Sequence, residues 1–251
     1  MCYDVQAKLE TLLKRAIRFH DEEGIKRIRE ELDPYYQNYF HSSGFTHQKF
    51  LIYQNDNPII PAPAVWGLVP HWVKNQEQKL KLWNSTINAR GETIFEKPSF
   101  RDSAKNKRCV ITVDGFFEHH YFKGKAYPFF IFRKDGEPVT IAGLWSEWLD
   151  KESGEILKTF TLVTTKANTL MTKLHNNPKL KEARMPVILD QENEEIWLSK
   201  AEKNEIAKLI KPFSEDDLSC HSVRKLRGKE AVGNVKAASE EFTYKELITD
   251  F

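Results

Sequence analysis

Between Lys49 and Thr164 the chain carries six short runs rich in aromatic and β-branched residues, at 49–54, 64–69, 109–113, 127–132, 140–144 and 159–164. Runs of this length and composition read as strands. Turn signals separate several of them, notably Lys123-Gly124-Lys125, Lys134-Asp135-Gly136 and Glu152-Ser153-Gly154, at spacings that favour antiparallel hairpins. A chain punctuated in this way is committed to a mostly antiparallel sheet. The flanks read as helices. Val5, Leu9, Leu12, Leu13 and Ile17 fall near a 3.6-residue period, and Asp21-Glu22-Glu23 opens a second helix that Pro34 ends. Residues 192–211 read as one amphipathic helix that buries Ile196, Trp197, Ile206, Leu209 and Ile210. The fold class is therefore α+β. No internal repeat or long linker breaks the 251 residues, so one domain is expected, with a loosely packed polar tail from about Lys225 whose last residues, 242–251, can dock.

Composition narrows the function classes. With 40% hydrophobic residues the chain can bury a core, and no run approaches the ~18–20 apolar residues needed to span a bilayer. A cytoplasmic protein with no membrane partner is the expectation. Cys2, Cys109 and Cys220 are odd in number and far apart, which suggests neither a disulfide framework nor a paired-cysteine zinc site. The net charge of +2, from 38 basic and 36 acidic side chains, argues against coating nucleic acid by bulk charge. A local patch remains at 90–108, where Arg90, Lys97, Arg101, Lys105, Lys107 and Arg108 stand against Glu92, Glu96 and Asp102; a bare charge run of this kind is more often a solvated face.

Several residues can carry chemistry. Removal of Met1 would leave Cys2 with a free α-amine beside its thiol. An α-amine titrates near ~7.7–8.0 and a thiol near ~8.5, so this pair can form an imine with an aldehyde and close it to a thiazolidine. Position alone also allows a small residue with no role. Asn88 and Arg90 are two positions apart and share a face in an extended strand, a pairing suited to a sugar oxygen and a phosphate, or simply to a turn and a surface ion pair. Glu118 follows the apolar run 109–113, where desolvation would raise a carboxyl pKa toward that of a proton shuttle; a solvated strand end is the alternative. His119 and His120 face opposite sides of a strand, which argues against one metal between them. His175 lies in a polar loop, where an imidazole can do acid–base work but is more often a surface residue. Trp66 and Trp72 bracket Gly67 and Pro70 and suit either base stacking or core packing.

These pieces, in this order, resemble the SOS-response-associated peptidase (SRAP) family of abasic-site processing proteins. The resemblance rests on Met1-Cys2, Trp66-Gly67-Leu68-Val69-Pro70-His71-Trp72, Asn88-Ala89-Arg90-Gly91-Glu92-Thr93, Glu96-Lys97-Pro98-Ser99-Phe100-Arg101, Val113-Asp114-Gly115-Phe116-Phe117-Glu118, Ala142-Gly143-Leu144-Trp145, Thr164-Thr165-Lys166-Ala167-Asn168 and Arg184-Met185-Pro186-Val187-Ile188-Leu189. It implies a barrel-like, mostly antiparallel sheet with flanking helices, a family domain over 1–230 with a helical insertion at about 5–33, and a tail at 231–251. It implies covalent capture of the abasic-site aldehyde in single-stranded DNA by Cys2, with catalytic help from Asn88, Glu118 and His175. DNA contacts are implied at Arg90, Trp66, Pro70, Trp72, Arg101 and Thr164, with no cofactor or metal, a monomeric state and, in a bacterium, association with the nucleoid during DNA damage. Many relatives place Gly-Arg after the cysteine, tryptophan after the glutamate and the histidine directly before Arg-Met-Pro; here stand Tyr3-Asp4, His119 and the intervening residues 176–183. A thiol peptidase using Cys2, Glu118 and His175, or a non-catalytic single-strand binder using Trp66, Trp72 and the basic patch, are the competing functions.

Overall fold

The computed structural model describes residues 3–32 and 38–247, so Cys2 and Pro34 lie outside the described residues. The strands are β1 Asp4–Ala7, β2 Tyr39–Ser43, β3 Lys49–Gln54, β4 Asn57–Trp66, β5 Asn88–Arg90, β6 Arg108–Val113, β7 Gly115–Phe122, β8 Lys125–Arg133, β9 Val139–Leu149, β10 Ile156–Lys166, β11 Arg184–Pro186, β12 Ile188–Leu189 and β13 Leu218–Ser222. The helices are α1 Leu9–Arg18, α2 Glu22–Arg27, α3 Gln76–Trp83, α4 Arg101–Asn106, α5 Thr169–Leu174, α6 Gln191–Leu198 and α7 Lys203–Leu209.

Five strands close into a barrel. β3 pairs antiparallel with β4 and β6, β6 with β9, and β9 with β10; β10 then returns parallel to β4, with Thr159 opposite Val65. Closure removes the exposed edges that an open sheet would offer to other chains. β5 and β11 extend from β10, and β12 from β9. A second, wholly antiparallel sheet has the order β13-β8-β7-β1-β2. The chain crosses between the two sheets at Asp114, whose carboxylate accepts the Lys8 backbone N–H at 3.0 Å and pairs with the Lys8 ammonium at 2.9 Å. The end of β1 is thereby tied to the start of β7.

The barrel strands alternate between two apolar layers because successive side chains point to opposite faces. Cys109, Ile111 and Val113 of β6 join the layer that includes Val5, Phe116 and Ile131 of the second sheet, whereas Val110 packs with Leu12, Trp197 and Ile206 of the helices. All of β6 is consequently buried.

Five local expectations change. Val5 belongs to a strand, since its backbone pairs with Ser42 and Phe116 and its side chain enters the intersheet layer; the helix begins only at Leu9. The strand predicted at 64–69 stops at Trp66, where Gly67 adopts φ +111 and a Cβ would collide with Trp83 and His47. The single helix predicted over 192–211 is two. The buried Arg108 guanidinium takes the Trp197 and Ser199 carbonyls at 2.8 Å and 2.5 Å, and a Glu202/Glu205 capping box starts α7. Lys134-Asp135-Gly136 does turn the chain, with Gly136 at φ +74, but it carries β8 of one sheet into β9 of the barrel instead of closing a hairpin. The segment after Lys225 is packed: Leu226 and Ala238 are buried, and the Tyr244 hydroxyl donates to the Val223 carbonyl at 2.7 Å.

Candidate functional site

Glu118 lies midway along β7 in a pleat of aromatic residues, with its side chain 10% exposed. Its Oε1 accepts the His119 backbone N–H at 2.9 Å. Oε2 stands 3.4 Å from Nδ1 of His175, the residue that ends α5 and whose side chain is 6% exposed. Asn168 caps the start of α5 by accepting the Met171 N–H at 2.8 Å, and the His175 N–H closes its end on the Met171 carbonyl. The same ring nitrogen, Nδ1, is also 3.0 Å from the Arg184 carbonyl, so both contacts fall on one edge of the imidazole. With the proton on Nδ1 the ring donates there, and Nε2 is then its basic nitrogen.

Arg184 is itself buried, and its guanidinium is fully engaged. The fork reaches Glu92 at 3.1 and 2.7 Å, Glu182 at 3.1 Å, and the Thr164 hydroxyl and carbonyl at 3.3 and 2.8 Å. Burial would raise the Glu92 carboxyl, but the Arg184 hydrogen bond and charge outweigh it and hold Glu92 below the usual carboxylate range. β11 is thus locked to β10 and to the turn after β5, and the His175 carbonyl partner is set in place. Arg184 stood in a motif of the sequence without a role of its own; only the fold reveals that it positions His175.

Glu118 and His175 share a cleft of ≈ 670 Å³ with Tyr3, Asp4, His119, Arg227 and their neighbours. The β1 register sets Asp4 opposite Phe117, so the chain enters β1 from the Glu118 end. Asp4 is buried, 3.2 Å from His41 Nε2 and 2.6 Å from an Arg227 amino group. Burial pushes its carboxyl up, yet the His41 hydrogen bond and the Arg227 charge prevail and lower it overall. His119 is depressed below the ordinary histidine range, first by burial and then by the Arg227 charge, against the opposing pull of Glu118 and Asp4. His120 points elsewhere, its Nδ1 3.0 Å from the Lys173 carbonyl.

The remaining predicted residues divide. Asn88 is 9% exposed on β5, opposite Leu162 of β10. Arg90, on the same strand, is half exposed and 4.0 Å from Glu182. Trp72 is 36% exposed, with its indole N–H on the Pro98 carbonyl, and Arg101 is exposed at the start of α4. Three expected DNA contacts are internal. Trp66 is 0% exposed, packed on Phe50 and Phe160 with its indole N–H on the Ile87 carbonyl at 2.9 Å. Pro70 is buried, and the buried Thr164 hydroxyl donates to the Ala89 carbonyl at 3.2 Å. Trp66 and Pro70 were drawn inward because large apolar surface gains more in a core than on a strand-binding face.

The family profile described as SOS response associated peptidase (SRAP) matches residues 5–230. The chain belongs to the SRAP family. One relative, the abasic site processing protein YoqW of Bacillus subtilis (strain 168), is 38% identical over 164 residues, spanning 64% of this chain and 68% of its own. The abasic site processing protein HMCES of Pongo abelii is 30% identical over 250 residues, covering 84% of this chain and 68% of its own. A crystal structure of a protein from Bacteroides thetaiotaomicron superposes with a TM-score of 0.81 at 32% identity, covering 96% of this chain and 100% of that one. The cleft in this SRAP chain therefore lies within the family's matched region, apart from Tyr3 and Asp4 at its N-terminal edge. Among the described residues no helix is long and apolar enough to cross a membrane.

Proposed function

We propose that this protein processes abasic sites in single-stranded DNA by covalent capture through Cys2. The observation that carries the reading is the Glu118–His175 pair, buried in a cleft lined by Tyr3, the residue that follows Cys2. The relatives' names support the substrate. With Met1 removed, the α-amine of Cys2 adds to the C1′ aldehyde of the ring-opened sugar, and the carbinolamine loses one water to give the imine. The thiol then adds to the imine carbon and its proton passes to nitrogen, closing the thiazolidine; the net change is loss of one water. Glu118 relays protons between the amine and the departing hydroxyl, and His175 assists ring opening and reversal. Asn88 steadies the sugar, while Arg90, Trp72 and Arg101 supply phosphate and stacking contacts.

A carboxylate and an imidazole beside the chain start also suit hydrolysis of the Met1–Cys2 bond, which makes self-processing a second reading of the same pair. Intact mass spectrometry, before and after incubation with a single-stranded oligonucleotide holding one abasic site, tests the proposal. A Met-less protein gaining the oligonucleotide mass less one water supports it. No adduct from a confirmed Met-less chain overturns it.

The burial difference between the two tryptophans separates packing from binding. Trp66→Ala is expected to cost about 3–5 kcal/mol of stability. Trp72→Ala is expected to leave stability within about 0.5 kcal/mol while weakening single-strand binding by about 1–3 kcal/mol. Chemical denaturation and fluorescence anisotropy read the two effects, and equal stability losses would contradict the assignment.

A further inference from the structure

Residues 225–229 form a basic wall of the Glu118–His175 cleft that the sequence had left as loose tail. Lys225, Arg227 and Lys229 all line it, with Glu230 at its rim. The wall is built into the fold. Leu226 is buried with Phe117 and Phe130, the Val232 N–H donates to the Lys225 carbonyl at 3.0 Å, and Gly228 turns the chain at φ +83. Lys225 gives its ammonium to the Ala126 carbonyl at 2.7 Å and lies over the Tyr127 ring, contacts that orient it along the wall.

Arg227 is the best-placed cation. One amino group is pinned by buried Asp4, whereas the side chain as a whole remains 53% exposed. A guanidinium anchored at one end keeps donors for a second oxyanion and loses little further freedom on binding it. Asp4 immediately follows Tyr3, and both line the cleft with Arg227, so the anchor holds this cation on the side of the cleft where β1 begins. Arg90 reaches the site by a different route, through Glu182 and the Arg184 fork that holds His175.

We infer that Arg227, held by Asp4, grips a backbone phosphate of the single strand entering the cleft, with Lys225 and Lys229 adding charge along the same wall. The inference rests on the abasic-DNA reading and adds a phosphate contact distinct from Arg90. Each phosphate neutralised on a single strand contributes about 0.7 to the slope of log affinity against log salt.

The test uses the full chain and a single-stranded oligonucleotide carrying a tetrahydrofuran abasic analogue, which has no aldehyde and reports binding alone. Anisotropy titrations across sodium chloride concentrations are run for wild type, Arg227→Gln and Arg227→Lys. The expected result is weaker binding by Arg227→Gln with a salt slope smaller by about 0.7, and a slope restored by Arg227→Lys. With a true abasic strand below saturation, crosslinking by Arg227→Gln should fall along with its binding and recover in Arg227→Lys, a charge rescue that damage to the catalytic pair would not produce. An unchanged slope in Arg227→Gln, with wild type still crosslinking, overturns the Arg227 contact and leaves the abasic reading intact. Failure of Met-less wild type to crosslink overturns both.

Discussion

Cys2→Ala is expected to eliminate heat-stable capture of abasic DNA while leaving noncovalent binding within about twofold, as expected for a small side chain outside the phosphate contacts. Alanine keeps the α-amine, so an imine can still form. What is lost is the thiol that closes the ring and removes the hydrolysable C=N bond. Cys2→Ser separates the two steps, because its hydroxyl is a much poorer nucleophile than a thiol and should leave an adduct that is trapped by borohydride yet lost on heating. Denaturing gels after heat, with and without reduction, distinguish the species. Equal heat-stable yields from wild type and either variant would remove the thiazolidine from the mechanism. The proposed placement of the reaction in the Glu118 cleft is supported by Tyr3 lining it and by the direction in which the chain enters β1.

Glu118→Gln should slow crosslinking by about 10²–10⁴-fold, the usual contribution of a positioned proton-transfer group. The amide oxygen can still accept the His119 N–H that Glu118 accepts at 2.9 Å, so the local backbone need not move. The amide cannot take up and release the proton that carbinolamine dehydration requires. Single-turnover kinetics at saturating abasic DNA, with a melting curve to verify folding, measures the loss. A rate within a few-fold of wild type would mean that another group moves the proton, and His175 at 3.4 Å would be next to test.

Much of the fold was legible because its signals are local. Predicted strands at 49–54 and 109–113 differ from β3 and β6 by at most a residue at one end, since a short, nearly continuous apolar run rich in β-branched and aromatic residues and bounded by polar ones marks a strand covered on both faces. The Gly124 and Gly154 turns were equally readable, because each permits a positive φ between strands that do pair as hairpins. Val5 was misread as helical because a four-residue strand shows too little alternation to outweigh the helix that follows it. The break between α6 and α7 was hidden for another reason: the Arg108 guanidinium that takes the α6 carbonyls comes from a strand 89 positions from Trp197.

The site shows the same division. Residue type and order along the chain singled out Glu118, His175, Asn88 and Arg90, because a carboxyl beside an apolar strand, an imidazole in a polar loop and a guanidinium two residues from a carboxamide have chemistry that can be named without coordinates. Burial of Trp66, Pro70 and Thr164, the Arg184 clamp, and the Asp4–Arg227 pair spanning 223 positions could not be read that way. The sequence by itself determined the strand and turn pattern, the α+β class and the chemical character of the reactive groups, all properties of neighbouring residues. Only the tertiary structure decided which groups meet. Barrel closure and the crossing at Asp114 bring distant segments within hydrogen-bonding distance, and contacts of that range leave no period or spacing in the chain.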